Sequence, residues 1–105
     1  MSTRTARAGG DALAVLHTAA AGDYVMVGAT GRVCRRRPGI SCEVTGIGVH
    51  EHDTVHALLA TRLLAVGAPC IVIADGAERR GHSLVLTRHG RRALHEAART
   101  GRADR

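Results

Sequence analysis

Apolar positions along the chain fall into short runs that glycine, proline and charged residues separate. Leu13 and Leu16 stand at helical spacing after Asp11, a residue that can cap a helix, so the pattern predicts a first helix over residues 12–21. The next apolar run, residues 24–27, is too short for its periodicity to distinguish a strand from one turn of a buried helix.

Two further helices are predicted in the middle of the chain. Residues 40–47 place apolar side chains at i, i+4 and i+7, as a short helix does. A longer helix is capped by Asp53 or Thr54 and carries a broad apolar stripe as far as Val66, just before a glycine that can end it. The central region is therefore expected to be helical.

The last third of the chain has the pattern of a β-hairpin followed by a helix. Residues 70–73 and 83–86 are β-prone runs, and the polar connection between them contains two glycines. Arg79 and Arg80 would lie at a long basic tip of this hairpin. A final helix is predicted over residues 88–99, where the apolar face is narrow.

Two passages carry a resemblance to a known family. Residues 84–94, Leu-Val-Leu-Thr-Arg-His-Gly-Arg-Arg-Ala-Leu, resemble the passage that closes the wing and opens the last helix in bacterial regulators of the MarR and PadR type. Residues 54–67 resemble the recognition helix before that wing. The resemblance implies an α+β fold, a winged helix-turn-helix with a three-helix core, a β-hairpin wing and a C-terminal helix. It would span residues 11–100, between a flexible basic N-terminal tail (1–10) and a C-terminal tail (101–105).

Composition adds a single domain and a basic surface to this picture. The chain has 105 residues, the size of one domain. All 15 basic residues are arginine against 9 acidic residues, which gives a net charge of +6 and favours a polyanionic partner. Tyr24 is the only aromatic residue, so the core is built from small side chains, and a homodimer formed through the terminal helices is expected.

The resemblance and the charge together imply sequence-specific binding of double-stranded DNA by a transcriptional regulator, a repressor that acts as a homodimer. In such domains the start of the recognition helix reads base edges, and basic residues elsewhere contact phosphates. Arg88, Arg91 and Arg92 on the last helix would add backbone contacts. The candidate DNA-binding residues are His50, His52, Thr54, His56, Arg62, Arg79, Arg80, Arg35, Arg36 and Arg37.

Two alternatives stay open beside DNA binding. Residues 50–66 carry one arginine against two carboxylates, which suits a winged-helix protein-interaction module better than a phosphate-binding helix. The cluster of His50, His52 and His56, completed by Cys42 or Cys34, would instead make a metal- or thiol-responsive regulator. No metal site or cofactor is predicted in the favoured interpretation.

Enzymatic and membrane functions find no support in the sequence. It contains no P-loop, no HExxH motif and no nucleophile elbow, so we expect no enzyme activity. No apolar run approaches the roughly 20 residues that cross a bilayer, and the first ten residues are polar. We therefore expect a cytoplasmic protein whose 3 cysteines are reduced thiols.

Overall fold

The computed structural model describes the backbone of residues 2–103 and the side chains of residues 11–40 and 42–99. The predicted tails, residues 1–10 and 101–105, fall outside the described side chains. The elements follow one another as α1 (Ser2–Ala20), β1 (Tyr24–Val27), β2 (Arg32–Arg37), β3 (Ile40–Gly46), α2 (Val49–Ala60), β4 (Leu64–Ala74), β5 (Ala77–Leu86) and α3 (Arg88–Ala103).

The strands close into a five-stranded barrel in the order β1-β2-β3-β4-β5, with β5 paired back to β1. All neighbouring pairs are antiparallel except β3 and β4, which run parallel and meet at Glu43 and Ile73. A parallel pair needs a long crossover connection, and α2 supplies it. Helix α2 is thus a crossover helix on the barrel wall.

The predicted winged helix-turn-helix is therefore wrong, and so is the resemblance to MarR- and PadR-type regulators on which it rested. The chain is a small α+β fold around a closed five-stranded barrel instead of a three-helix core with a wing. The predicted short helix over residues 40–47 is strand β3. Ile40 and Val44 are an even number of residues apart, so they also share one face of a strand.

The arginine-rich segment before β3 forms a strand because a tight turn follows it. Pro38 and Gly39 join β2 to β3, and Gly39 has a φ of 80°. Proline followed by a glycine with positive φ suits the two central positions of a type II turn. A Pro-Gly pair would end a helix, and in this chain it forms the turn of the β2–β3 hairpin.

Alternation along the strands separates two apolar clusters on the two faces of the sheet. Inside the barrel lie Val25, Val27, Cys34, Val44, Val72 and Ala74. Between the outer face and the helices lie Val15, Leu16, Ala19, Tyr24, Val33, Val55, Leu58, Leu64, Leu84 and Leu86. Tyr24 and Val25 show the period of two directly, since consecutive residues join different clusters.

The hairpin of the last third is present, but its strands are longer than expected. Arg79 and Arg80 lie within β5, opposite Val72 and Ile71, and the turn is at residues 75–76. The final helix begins at Arg88 as predicted. No described helix combines the length and apolar character needed to cross a membrane.

Candidate nucleic-acid interface

Two of the candidate base-reading residues on α2 point at the barrel. The backbone N–H of Val33 donates to His52 Nε2 over 3.2 Å. His56 Nε2 lies 2.8 Å from the carbonyl oxygen of Gly31, to which it can donate. The two rings are neighbours, with centroids 4.6 Å apart. His52 and His56 therefore attach α2 to β2 and to the turn before it.

The other two α2 candidates also have partners within the chain. His50 Nε2 lies 2.6 Å from Asp11 Oδ2, a contact that connects α2 to α1. The hydroxyl of Thr54 donates to the carbonyl oxygen of His50 over 2.9 Å. With the fold corrected, α2 is not a recognition helix. Contact between DNA and these four residues stays a prediction.

A cavity of about 250 Å³ between α1, α2 and the barrel collects polar side chains that the sequence did not point to. At its base the hydroxyl of Tyr24 donates to Glu51, whose carboxylate lies 4.0 Å from Arg35 Nη1. Burial raises the pKa of Tyr24 well above its ordinary value, and the hydrogen bond to Glu51 raises that pKa further. The only available sequence signal was that Tyr24 is the single aromatic residue.

The predicted cluster for metal or thiol chemistry is not assembled. Among the described residues, no three histidine, cysteine or carboxylate side chains are grouped so that they could hold a metal ion. Cys34 is buried inside the barrel, which raises the pKa of its thiol. Cys42 is exposed and Cys70 is half-buried.

The arginines of β2 are engaged by neighbouring groups. Arg37 lies 3.8 Å from Glu43, and Arg35 is the partner of Glu51 described above. Arg36 donates from Nε to the carbonyl oxygen of Gly22 and from Nη2 to the Ser83 hydroxyl, each over 3.0 Å. These arginines line a cavity of about 670 Å³, but each already has a partner.

The remaining candidate arginines lie outside β2, and Arg62 belongs to a different part of the fold from the adjacent Arg79 and Arg80. Arg62 is exposed between α2 and β4, with a φ of 65°. Arg79 and Arg80 are exposed on β5 near the hairpin turn. Within residues 11–40 and 42–99, these three side chains take part in no ion pair. The structure thus does not gather the ten predicted residues on one surface.

Helix α3 carries the best-defined basic surface. Arg88, Arg92 and Arg99 are all exposed, and helical geometry places them within about 40° of one another over a length of about 16 Å. We call these three residues the basic row. Across the described part of the chain, none of them forms an ion pair. Sequence reasoning had included Arg88 and Arg92 as backbone contacts and missed Arg99.

The basic row faces solvent because small residues dock the opposite side of α3. Gly90 is buried in the first turn, and a Cβ there would lie only 2.1 Å from the carbonyl oxygen of Leu63. The Thr87 hydroxyl accepts a bond from the N–H of Gly90 over 3.1 Å and donates to the carbonyl oxygen of Arg62 over 2.6 Å. These contacts fix the start of α3 against the turn between α2 and β4.

Fold and surface define this chain as a small α+β barrel protein that presents a basic helix. No family model, curated protein or solved structure matches it.

Proposed function

We propose that this chain binds double-stranded DNA through the basic row on α3. The observation that carries the proposal is the exposure of Arg88, Arg92 and Arg99 on one face without an internal partner among the described residues. Guanidinium groups donate several hydrogen bonds and suit phosphate oxygens. The net charge of +6 acts in the same direction by attracting polyanions at long range.

A duplex is favoured over a single strand because the surface exposes no tyrosine, phenylalanine or tryptophan. Proteins that bind single strands stack bases on exposed aromatic side chains. The only aromatic residue, Tyr24, is fully buried. A duplex instead presents about one charge per 1.7 Å of its axis, so a row of three arginines about 16 Å long can meet several phosphates without base contacts.

Phosphate contacts position a protein on DNA but do not read its sequence. Base reading by His50, His52, Thr54 or His56 would require these side chains to leave their present partners. We therefore propose binding directed at the backbone. Sequence-specific regulation by a homodimer is a further proposal that a symmetric enriched DNA site would support.

The test compares arginines that differ in location but not in charge. The full chain is titrated into a short labelled duplex and into the matching single strand, with fluorescence anisotropy as the readout, between about 50 and 200 mM salt. Arg92→Gln and Arg99→Gln should each weaken duplex binding and make the negative slope of log K against log salt shallower by about 0.9.

The matched control is Arg37→Gln on β2, which removes the same charge from a residue already paired with Glu43. It should leave the affinity and the slope nearly unchanged. Equal losses for all three variants would show that net charge alone governs binding, and the assignment to α3 would be wrong. Tighter binding of the single strand would contradict the choice of a duplex.

A further inference from the structure

A groove of about 550 Å³ lies between the C-terminal end of α1, strand β5 and helix α3. This volume falls within the range of about 300–1,000 Å³ that is common for small-molecule sites. The half-buried Leu94 and Val85, which is 41% exposed, contribute apolar surface to its lining, and the buried Leu84 and Leu86 lie beneath that surface. The groove is thus largely apolar and open to solvent.

Small side chains on the two helices create the space. Ala19 and Ala20 line the groove from α1, and Ala98 lines it from α3. Both helices rest on β5, but alanines do not fill the gap between them. A larger residue at the exposed position 98 would occupy the groove from its open side without entering the core.

The ionisable groups of the groove are both basic. Arg91 and His95 stand one helical turn apart on α3, and both line the groove. No described carboxylate belongs to its lining. An apolar groove bordered by an arginine and a histidine, with no acidic group, is complementary to a ligand that has an apolar body and one negative charge.

We propose that this groove binds a small amphipathic anion, a short aliphatic or aromatic body that ends in a carboxylate. The apolar body would lie against Leu94 of α3 and Val85 of β5, above the buried leucines of β5. The carboxylate would accept paired N–H bonds from Arg91, the geometry in which guanidinium groups bind carboxylates most specifically. Because the basic row lies outside the groove, this inference does not depend on DNA binding.

The experiment titrates the full chain with decanoate and with decylammonium, two ligands with the same apolar chain and opposite charge, and uses isothermal titration calorimetry. Decanoate should bind more tightly than decylammonium. Arg91→Gln should weaken decanoate about fivefold. Ala98→Phe should abolish decanoate binding, because the new ring fills the groove. Arg92→Gln is the matched control and should bind decanoate as the unchanged chain does.

Far-ultraviolet circular dichroism verifies that each variant retains its fold. Equal affinity for the two ligands, or unchanged decanoate binding by Ala98→Phe in a folded chain, would overturn the proposal. Sedimentation equilibrium covers the other possible occupant, a second copy of this chain. A dimer that Ala98→Phe dissociates would show that the groove is an interface between two copies, which would also overturn the proposal.

Discussion

Strand β2 and helix α3 each carry several arginines, but the protein holds the two sets in opposite ways. Arg32 and Arg37 on β2 lie 3.1 Å and 3.8 Å from carboxylates, and Arg36 donates to a backbone carbonyl oxygen. Arg92 and Arg99 on α3 have no ion pair among the described residues. The number of arginines in a segment therefore does not measure the charge available to a partner.

The difference follows from where each element places its neighbours. A strand in the barrel wall has residues of other elements within reach, such as Glu43 on β3 for Arg37 and Asp75 in the β4–β5 turn for Arg32. The outer face of a surface helix has only its own residues nearby. Among the described residues of α3, Glu96 is the only acidic one.

The largest expected effect comes from disrupting the close contact between Gly90 and Leu63, which keeps the basic row facing solvent. Gly90→Ala would place a Cβ 2.1 Å from the carbonyl oxygen of Leu63, so the start of α3 must move away from the turn before β4. We expect the free energy of unfolding to fall by about 3 kcal/mol. Urea denaturation measures it, and duplex affinity should fall as well because the row loses its fixed position.

The neighbouring exposed residue provides the control for this substitution. His89→Ala should change the free energy of unfolding by no more than about 0.5 kcal/mol. If Gly90→Ala were as mild as His89→Ala, the start of α3 would not pack closely against Leu63. The contrast between the paired arginines of β2 and the outward-facing arginines of α3 would then lose its structural basis.

An effect of intermediate size on the free energy of unfolding should distinguish Arg36 on β2 from Arg92 on α3. Arg36→Gln removes a charged donor from the carbonyl oxygen of Gly22 and from the Ser83 hydroxyl, so the free energy of unfolding should fall by about 1–3 kcal/mol. Arg92→Gln makes the same chemical change on α3 and should cost no more than about 0.5 kcal/mol. Equal values for the two variants in urea denaturation would contradict the comparison.

The elements that were predictable from sequence depend on local signals. The hairpin of the last third follows from two β-prone runs around glycines, and α3 begins where Thr87 can bond the N–H of Gly90. The barrel depends on pairings that local patterns do not encode. Its closure joins Val25 to Ser83 and its parallel pair joins Glu43 to Ile73, whereas β1, β2 and β3 pair with one another across short turns.

The candidate site was predictable to the same limited extent. The excess of arginine was visible at once, but the partners that engage it were not. His50 meets Asp11 and Tyr24 meets Glu51 only after α1, β1 and α2 come together. The resemblance of residues 54–67 to a recognition helix gave His52 and His56 a base-reading role, whereas both bond the backbone of the β1–β2 hairpin.

The smallest of these effects concerns the polar network behind β2. Tyr24 is fully buried and donates to Glu51, which also faces Arg35. Burial, reinforced by the hydrogen bond to Glu51, holds the pKa of Tyr24 well above its ordinary value of about 10. The folded chain therefore keeps this phenol protonated at a pH where the unfolded chain ionises it.

The stability that Tyr24 contributes should be complete below about pH 10 and should decline as the pH rises above that value. Between about pH 10 and pH 11 the free energy of unfolding should lose about 1 kcal/mol from this group. Urea denaturation of Tyr24→Phe should lack that loss, while the thiol of Cys34, whose pKa burial also raises, affects both proteins alike. The same alkaline decline in both proteins would mean that folding does not raise the pKa of Tyr24. The buried contact between Tyr24 and Glu51 would then not distinguish this region from the exposed face of α3.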